Sequence, residues 1–116
     1  VELDREQAAL VEAAGWPEWV SIVVGDSAEL VGQLGSFDLI FPDTPGGKIY
    51  NLETTIAALR PGGVLLLDDM ERPKNEPPER CTRLAFVRDQ LFADPHLTCT
   101  ELALASGVIL AARQRL

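Results

Sequence analysis

Two short stretches of the sequence decide the fold: residues 37–43 read FDLIFPD and residues 60–70 read RPGGVLLLDDM. Each contains an apolar run of the kind that forms a buried parallel strand, and each ends in acidic residues. The segment between them, Asn51 to Arg60, has apolar residues at helical spacing, so we expect two parallel strands joined by one helix. Because ligands bind at the carboxyl edge of open α/β sheets, these acidic residues predict a site there.

The rest of the chain continues this alternation. The predicted elements, in chain order, are a strand tail at 1–3, a helix at 4–15, a strand at 19–24, a helix at 27–34, the strand at 37–41, the helix at 51–60, the strand at 64–67, a helix that carries Leu84, Val87 and Leu91, and strands at 97–104 and 108–112. The connection between the last two strands is too short for a crossover, so they form an antiparallel hairpin. The order predicts an α/β fold with a doubly wound, mostly parallel sheet and an antiparallel C-terminal hairpin.

Composition and charge narrow the range of functions. The chain has 116 residues, of which 47% are hydrophobic and 24% charged, as in one folded domain. Its net charge of -8 disfavours binding to nucleic-acid phosphates. No apolar run approaches the roughly 20 residues of a membrane span, and no secretory signal opens the sequence, so we expect a cytoplasmic protein. Cys81 and Cys99 lack metal-ligand spacing and are expected to be free thiols.

Several pieces of the sequence, taken in order, resemble the class I S-adenosylmethionine-dependent methyltransferases, and in particular the small-molecule O-methyltransferases of the catechol and caffeoyl-CoA type. The resemblance implies a Rossmann-like fold, S-adenosylmethionine as cofactor, and methyl transfer to a small-molecule acceptor with a hydroxyl oxygen as the target. The matching pieces are VELD at 1–4, VGDS at 24–27, FDLIFPD at 37–43, LRPGGV at 59–64, LDDM at 67–70 and SGVILA at 106–111.

The same resemblance implies that residues 1–116 are a partial methyltransferase domain, supplying the second to the seventh strand. The first strand of such domains, with its glycine-rich turn, has no counterpart in the sequence. Loss of a central strand removes several buried aliphatic side chains, which together contribute roughly 7–15 kcal/mol. We therefore expect residues 1–116 to be a fragment that does not form a stable enzyme by itself.

Three residues at the ends of the predicted strands at 1–3 and 19–24, which correspond to the second and third strands of the family, are candidates for binding the adenosine of the cofactor. Glu2 lies at the end of the first of these, where the two oxygens of a carboxylate match the vicinal hydroxyls of a ribose. Asp26 and Ser27 resemble the adenine site of the family, in which a carboxylate accepts from the exocyclic amino group and a backbone N–H donates to the ring. In the alternative, Glu2 is an ordinary exposed residue, Asp26 a turn residue and Ser27 a helix N-cap.

Asp43, Asp68 and Asp69 follow two neighbouring strands and are expected to converge. Carboxylates brought together repel one another unless a cation, a proton or hydrogen-bond donors intervene, and Mg²⁺ prefers oxygen ligands. The resemblance implies that these residues hold Mg²⁺ or another divalent cation, which orients the acceptor and lowers the pKa of its hydroxyl. In the alternative no metal binds, Asp43 contacts the methionine part of the cofactor, and Asp68 caps a loop.

Lys48 is the candidate catalytic base, acting with Asp43 on the acceptor. The resemblance is imperfect here, because Lys48 follows Asp43 by five positions and metal-dependent relatives place the lysine closer. The alternative is a solvated loop charge. The polar, proline-rich segment 71–79 is expected to form a lid over the acceptor, or else a disordered surface loop.

Two further functions stay open. A fragment of a nicotinamide-dependent oxidoreductase would share the acidic residue after the second strand. A non-catalytic remnant would act as a packing partner for another chain. For the favoured function we expect a small-molecule acceptor as the partner, and neither nucleic acid nor membrane. Whether the protein forms a homodimer stays open.

Overall fold

The computed structural model describes residues 1–71 and 77–115, and these form a four-stranded sheet with helices packed against it. None of the helices in these ranges is long and apolar enough to cross a lipid bilayer. The elements, in chain order, are α1 (Arg5–Glu12), α2 (Ser27–Leu30), β1 (Phe37–Ile40), α3 (Leu52–Ala57), β2 (Leu59–Leu67), α4 (Pro78–Ala93), β3 (Leu97–Leu102) and β4 (Val108–Arg113).

The sheet has the strand order β1-β2-β4-β3. Strands β1 and β2 are parallel and are connected through α3, as the sequence predicts. Strand β4 is antiparallel to both of its neighbours, and its pairing with β3 runs from Leu97 opposite Arg113 to Leu102 opposite Val108. The predicted α/β fold and its antiparallel C-terminal hairpin are therefore confirmed.

The hydrophobic core lies between the two central strands and α4. Leu65 and Leu67 of β2 and Ile109 of β4 are fully buried. Helix α4 covers them with a buried stripe of Leu84, Val87 and Leu91, which have the spacing of one helical face. Each fully buried aliphatic side chain stabilises the fold by about 1.5–3 kcal/mol, so this layer fixes β2 and the residues that follow it.

Helix α1 begins at the residue expected from the sequence. The Asp4 carboxylate accepts hydrogen bonds from the backbone N–H groups of Glu6 at 2.8 Å and Gln7 at 3.1 Å, and so caps the helix. The helix ends at Glu12, earlier than predicted, and turns carry the chain on to Gly15, which has φ of +75°.

The strands predicted at 1–3 and 19–24 are wrong as regular strands. Within the described residues these segments share a single parallel bridge, between Glu2 and Val24. Two hydrogen bonds form it, from the Glu2 N–H to the Val23 oxygen and from the Gly25 N–H to the Glu2 oxygen. A strand needs partners along its whole length, and Trp19, at the start of the predicted run, is 81% exposed.

Strand β2 begins at Leu59, earlier than predicted, and α3 ends at Ala57 instead of reaching Arg60. The Arg113 guanidinium donates hydrogen bonds to the backbone oxygens of Ala57 at 3.1 Å and Leu59 at 2.5 Å. These bonds satisfy carbonyls at the helix end, where no intrahelical partner is available. The Pro-Gly-Gly sequence then lies in the strand, where Gly62 has φ of +86° at an irregularity of the β1–β2 register.

The outer edge of β1 has no strand partner in the part of the chain that the structure describes. A cavity of about 310 Å³ separates this edge from Val1. Several of its lining side chains are apolar, and Leu39 is 59% exposed. This open edge lies directly beside the acidic residues at the end of β1.

Candidate functional site

Three carboxylates meet at the carboxyl ends of the parallel strands. Asp43 lies in the loop after β1, whereas Asp68 and Asp69 directly follow β2. One carboxylate oxygen from each residue lies within 4.8 Å of the others. The convergence expected from the strand order is therefore present, and it concentrates negative charge at one point of the sheet edge.

The turn of the β3–β4 hairpin holds the acidic end of β2 in place. The Asp69 backbone has φ of +52°, a left-handed conformation, and its N–H donates to the Ser106 hydroxyl at 3.3 Å. The next two residues also bond to the turn, Met70 to the Gly107 oxygen at 3.1 Å and Glu71 to the Ser106 oxygen at 2.9 Å. A Cβ atom on Gly107 would lie 2.4 Å from the Glu71 nitrogen, so this close approach requires glycine.

Lys48 is buried and bonded to the end of β2. Its side chain is 7% exposed, and its ammonium donates a hydrogen bond of 2.5 Å to the backbone oxygen of Asp68. The same ammonium lies 3.8 Å from Asp68 Oδ1, an oxygen that is buried and has no hydrogen-bond partner among the described residues. The alternative that Lys48 is a solvated loop charge is therefore wrong. The two glycines before it let the longer loop turn back towards β2.

The loop after β1 is docked on α2 through Ser27. The Ser27 hydroxyl donates to the Gly46 oxygen at 3.1 Å and lies 3.1 Å from the Thr44 hydroxyl. A Cβ atom on Gly46 would lie 2.4 Å from Ser27 Oγ and 3.0 Å from the Ala28 nitrogen. The Asn51 amide donates to the Ala28 oxygen at 2.8 Å and closes the other end of the loop. Glycine at position 46 thus permits the loop to lie against α2.

Glu2, Asp26 and Ser27 line one cavity of about 340 Å³. One Glu2 carboxylate oxygen accepts from the Asp4 N–H at 2.9 Å. Asp26 is the N-cap of α2, because its carboxylate accepts from the Ala28 N–H at 2.8 Å. The alternative that Ser27 is the N-cap is wrong, since Ser27 is the first helical residue and its hydroxyl bonds to the loop. The cavity therefore has two carboxylates and a helix start on its walls.

A second cleft, of about 530 Å³, lies between the loop after β1 and α4. Asp43, Lys48 and Tyr50 line one wall, and Arg80 and Arg83 of α4 line the other. Thr44, Pro45 and Tyr50 also line the cavity of Glu2, so the two spaces are neighbours. Of the predicted lid at 71–79, residues 72–76 lie outside the described residues, and Pro77 and Glu79 line this cleft.

The two cysteines have the free thiols that the sequence predicts. Cys99 is half-buried on β3, and its thiol donates to the Leu91 oxygen at 3.3 Å. Burial, together with the nearby charge of Asp94, raises the pKa of Cys99 above its ordinary value. A thiol with a raised pKa is a poor nucleophile at neutral pH, so Cys99 is not a candidate for covalent chemistry.

Comparison with known protein families shows which family the chain belongs to. A family model described as a methyltransferase domain matches residues 1–70, which is more than half of the chain. The chain belongs to this methyltransferase domain family. All of the site residues predicted from the sequence lie inside the matched segment of the methyltransferase domain. No curated protein matches the chain.

Three solved structures with the same fold are named as methyltransferases. The O-methyltransferase from Bacillus cereus in complex with SAH is 21% identical, with a TM-score of 0.79 over 97% of this chain and 60% of that one. The SAH-bound methyltransferase PaMTH1 from Podospora anserina is 20% identical, with a TM-score of 0.79 over 97% and 58%. TomG from Streptomyces achromogenes, in complex with SAM, is 20% identical, with a TM-score of 0.76 over 97% and 60%. The chain thus spans about 60% of the length of these structures.

Sequence reasoning missed several residues that shape the site. Thr44 and Gly46 hold the loop on α2, and Arg83 contacts Tyr50 across the second cleft. The paired glycines at 46 and 47 were a signal for a close backbone approach. No local pattern marked Arg83, because its contact with Tyr50 joins residues 33 positions apart.

Proposed function

We propose that this chain forms the cofactor and acceptor sites of an S-adenosylmethionine-dependent methyltransferase that methylates a hydroxyl oxygen of a small molecule. The observation that carries the proposal is the adjacency of two spaces at the carboxyl ends of the strands. One is lined by the three residues expected to bind adenosine, the other by Asp43 and Lys48, and Thr44 and Tyr50 line both. The SAH and SAM bound in solved structures of the same fold support the choice of cofactor.

The cavity of Glu2 is proposed to hold the adenosine. Only one of the two Glu2 carboxylate oxygens is used by the Asp4 N–H, so the group retains acceptor capacity for the ribose hydroxyls. Asp26 uses one oxygen as the cap of α2 and retains the other for the adenine amino group. Ser27, as the first residue of α2, has a backbone N–H without an intrahelical partner, which suits donation to the adenine ring.

Asp43, Asp68 and Asp69 are proposed to hold Mg²⁺ or another divalent cation. The donor set fits such an ion, because each residue offers a carboxylate oxygen within 4.8 Å of the others, and Asp68 Oδ1 is buried without a hydrogen-bond partner among the described residues. A bound cation would supply positive charge that lowers the pKa of the acceptor hydroxyl. In the competing arrangement Asp43 contacts the methionine part of the cofactor and no cation binds.

Lys48 is proposed as the group that accepts the acceptor's proton. It lines the second cleft beside Asp43, and its nitrogen is fixed by the Asp68 backbone. In the transfer step the acceptor oxygen forms a bond to the methyl carbon while the bond from that carbon to sulfur breaks. The electron pair stays on sulfur, and the hydroxyl proton passes to the Lys48 nitrogen, which can accept it only as a neutral amine and not as the ammonium that donates to Asp68. Alignment of the two reacting atoms supplies most of the rate enhancement that such a displacement needs.

The test is calorimetric titration of the full-length protein that contains this chain, with S-adenosylhomocysteine, in the presence and absence of Mg²⁺. Saturable binding to one site is expected, and Mg²⁺ should strengthen the binding of a catechol added afterwards. Binding of NADH in place of S-adenosylhomocysteine would favour the oxidoreductase alternative. Absence of S-adenosylhomocysteine binding by a folded protein would contradict the proposal.

A further inference from the structure

We propose that Arg83 makes the second cleft selective for acceptors that carry an anionic group, either a carboxylate or a phosphate. This inference rests on the proposed function, because it names the chemical class of the acceptor at the same site. It follows from three features of the cleft: the opposite net charges of its two walls, the fixed position of Arg83, and the lack of a carboxylate partner for Arg83 among the described residues.

The two walls of the cleft differ in charge. On the β side, Asp43 and Asp69 carry the carboxylates near the point where the acceptor hydroxyl is proposed to bind. On the α4 side lie Glu79, Arg80 and Arg83, so this wall carries two cations against one carboxylate, and the two arginines are about one helical turn apart. Lys48 also lines the cleft, but its charge is opposed by Asp68. The guanidinium groups of Arg80 and Arg83 are therefore the cations that α4 contributes to the cleft.

Tyr50 holds the Arg83 guanidinium in a defined place. The Arg83 side chain donates a hydrogen bond to the Tyr50 hydroxyl, and its guanidinium carbon lies 5.3 Å from the centre of the Tyr50 ring. Stacking on an aromatic face is a typical placement for guanidinium, which is planar and weakly hydrated. A cation that is already positioned loses less side-chain entropy when a ligand binds.

Arg83 has no carboxylate within ion-pair distance among residues 1–71 and 77–115. Other arginines of the sheet and of α4 do have one: Arg60 pairs with Asp38 at 2.7 Å, and Arg88 pairs with Glu101 at 2.8 Å. The contact of Arg83 is a neutral phenol that uses one of its five N–H donors. Among the described residues no carboxylate neutralises Arg83, so its charge and its remaining donors are available to a ligand in the cleft.

A ligand with a hydroxyl at one end and an anion at the other matches this distribution. The planar guanidinium binds carboxylate and phosphate through two parallel hydrogen bonds. The carboxylates of Asp43 and Asp69 repel an anion from the opposite wall, so the reversed orientation is disfavoured. Arg83 therefore acts as a specificity-determining residue that directs the hydroxyl end of the acceptor towards Lys48.

The experiment compares three probes on the full-length protein loaded with S-adenosylhomocysteine. Calorimetry measures the affinity of catechol, of dihydroxybenzoate and of dihydroxyphenyl phosphate. The wild-type protein should bind at least one anionic probe about tenfold or more tightly than catechol, as expected for hydrogen bonds to a charged group. Arg83→Met should remove this preference, Arg83→Lys should retain part of it, and Tyr50→Phe should weaken it.

Arg88→Met is the matched control. Arg88 lies on the same helix, is exposed, and its guanidinium stacks on Phe92 at 4.9 Å, but it is paired with Glu101 and does not line the cleft. This variant should leave the ratio of anionic to neutral affinity unchanged. A preference for only one of the two anions supports the proposal and identifies the anion.

Two results would overturn the inference: equal affinities for the three probes in the wild type, or a preference that persists in Arg83→Met. Absence of binding by all three probes would do the same. The titration with S-adenosylhomocysteine separates this failure from failure of the proposed function. Retained cofactor binding without an anionic preference removes only the acceptor class, whereas loss of cofactor binding in the wild type removes both proposals.

Discussion

The ammonium of Lys48 donates a hydrogen bond of 2.5 Å to the backbone oxygen of Asp68 and lies 3.8 Å from its buried Oδ1. This contact joins the loop after β1 to the end of β2. Lys48 is the only buried charged residue among those that the structure describes, and the contact places it against the acidic cluster. Lys48 thus has a structural role whether or not it acts in catalysis. Variants of Lys48 therefore need two measurements, one of stability and one of activity.

Lys48→Met should affect stability and catalysis separately. Loss of the ammonium leaves the Asp68 carbonyl without its donor and the buried Oδ1 without its neighbouring cation, so the free energy of unfolding should fall by about 1–3 kcal/mol in the full-length protein. If Lys48 is the base, kcat should also fall by about 100-fold or more. Denaturant titration measures the first effect, and methyl transfer to a catechol measures the second.

Arg60→Met is the control for this variant. The Arg60–Asp38 ion pair is shorter than the Lys48–Asp68 pair, at 2.7 Å against 3.8 Å, but both of its side chains are largely exposed. Its loss should change the free energy of unfolding by less than about 1 kcal/mol. A Lys48→Met protein as stable as Arg60→Met would contradict the structural role, and one with wild-type kcat would exclude Lys48 as the base.

Glu2→Gln and Asp26→Asn should weaken cofactor binding without unfolding the chain. Glutamine can still accept from the Asp4 N–H, and asparagine is a good N-cap for α2, so the local structure is retained. Loss of a charged acceptor should lower the affinity for S-adenosylhomocysteine about tenfold in each variant. Calorimetry makes the measurement, with Glu12→Gln at the exposed end of α1 as control. Wild-type affinity in both variants would place the adenosine elsewhere.

The acidic cluster predicts a dependence on divalent cations. Asp43→Asn and Asp69→Asn should each reduce the affinity for Mg²⁺ by at least about tenfold, a loss seen even when outer-shell partners of a metal are removed. Chelation should lower methyl transfer by the wild type. Asp38→Asn is the control, because Asp38 is an exposed aspartate of β1 that pairs with Arg60 outside the cluster. Full activity in chelator would favour the arrangement in which Asp43 contacts the cofactor directly.

Gly46→Ala tests the contact between the loop and α2. The added Cβ would lie 2.4 Å from Ser27 Oγ, so the loop must shift away from the cavity wall. We expect a loss of about 1–3 kcal/mol in the free energy of unfolding, together with weaker binding of S-adenosylhomocysteine. Ser27→Ala removes the closest atom, so the double variant should lose less than the sum of the two single variants. Strict additivity, measured by denaturant titration, would show that the two residues do not meet.

Local sequence patterns predicted the features that depend on neighbouring residues. The Asp4 cap and the buried stripe of α4 follow from side chains within a few positions of one another. The meeting of Asp43 with Asp68 could also be predicted, because parallel strands end at the same edge. The prediction of a strand at 19–24 was wrong, because an extended run forms a strand only if a partner pairs along its length. Glu2 supplies a single bridge, to Val24.

The side-chain contacts of the site could not be predicted in the same way. The Lys48–Asp68 bond joins residues 20 positions apart, and its existence depends on how a loop with two glycines folds. The sequence allowed a solvated Lys48, whereas the loop buries it. The early start of β2 has a similar cause, since Arg113 bonds to Ala57 and Leu59 from 56 and 54 positions away.

The polypeptide of residues 1–116, produced alone, should not unfold cooperatively. The outer edge of β1 faces a cavity of about 310 Å³ and has no strand partner among the described residues, so apolar side chains such as Leu39 remain in water. A strand that filled this space would bury several side chains worth about 1.5–3 kcal/mol each, which is comparable to the net stability of a small domain. Circular dichroism during heating and size exclusion make the test, with the full-length protein as control. A sharp thermal transition of a monomer would mean that the four strands suffice, and that β1 is stable as an open edge.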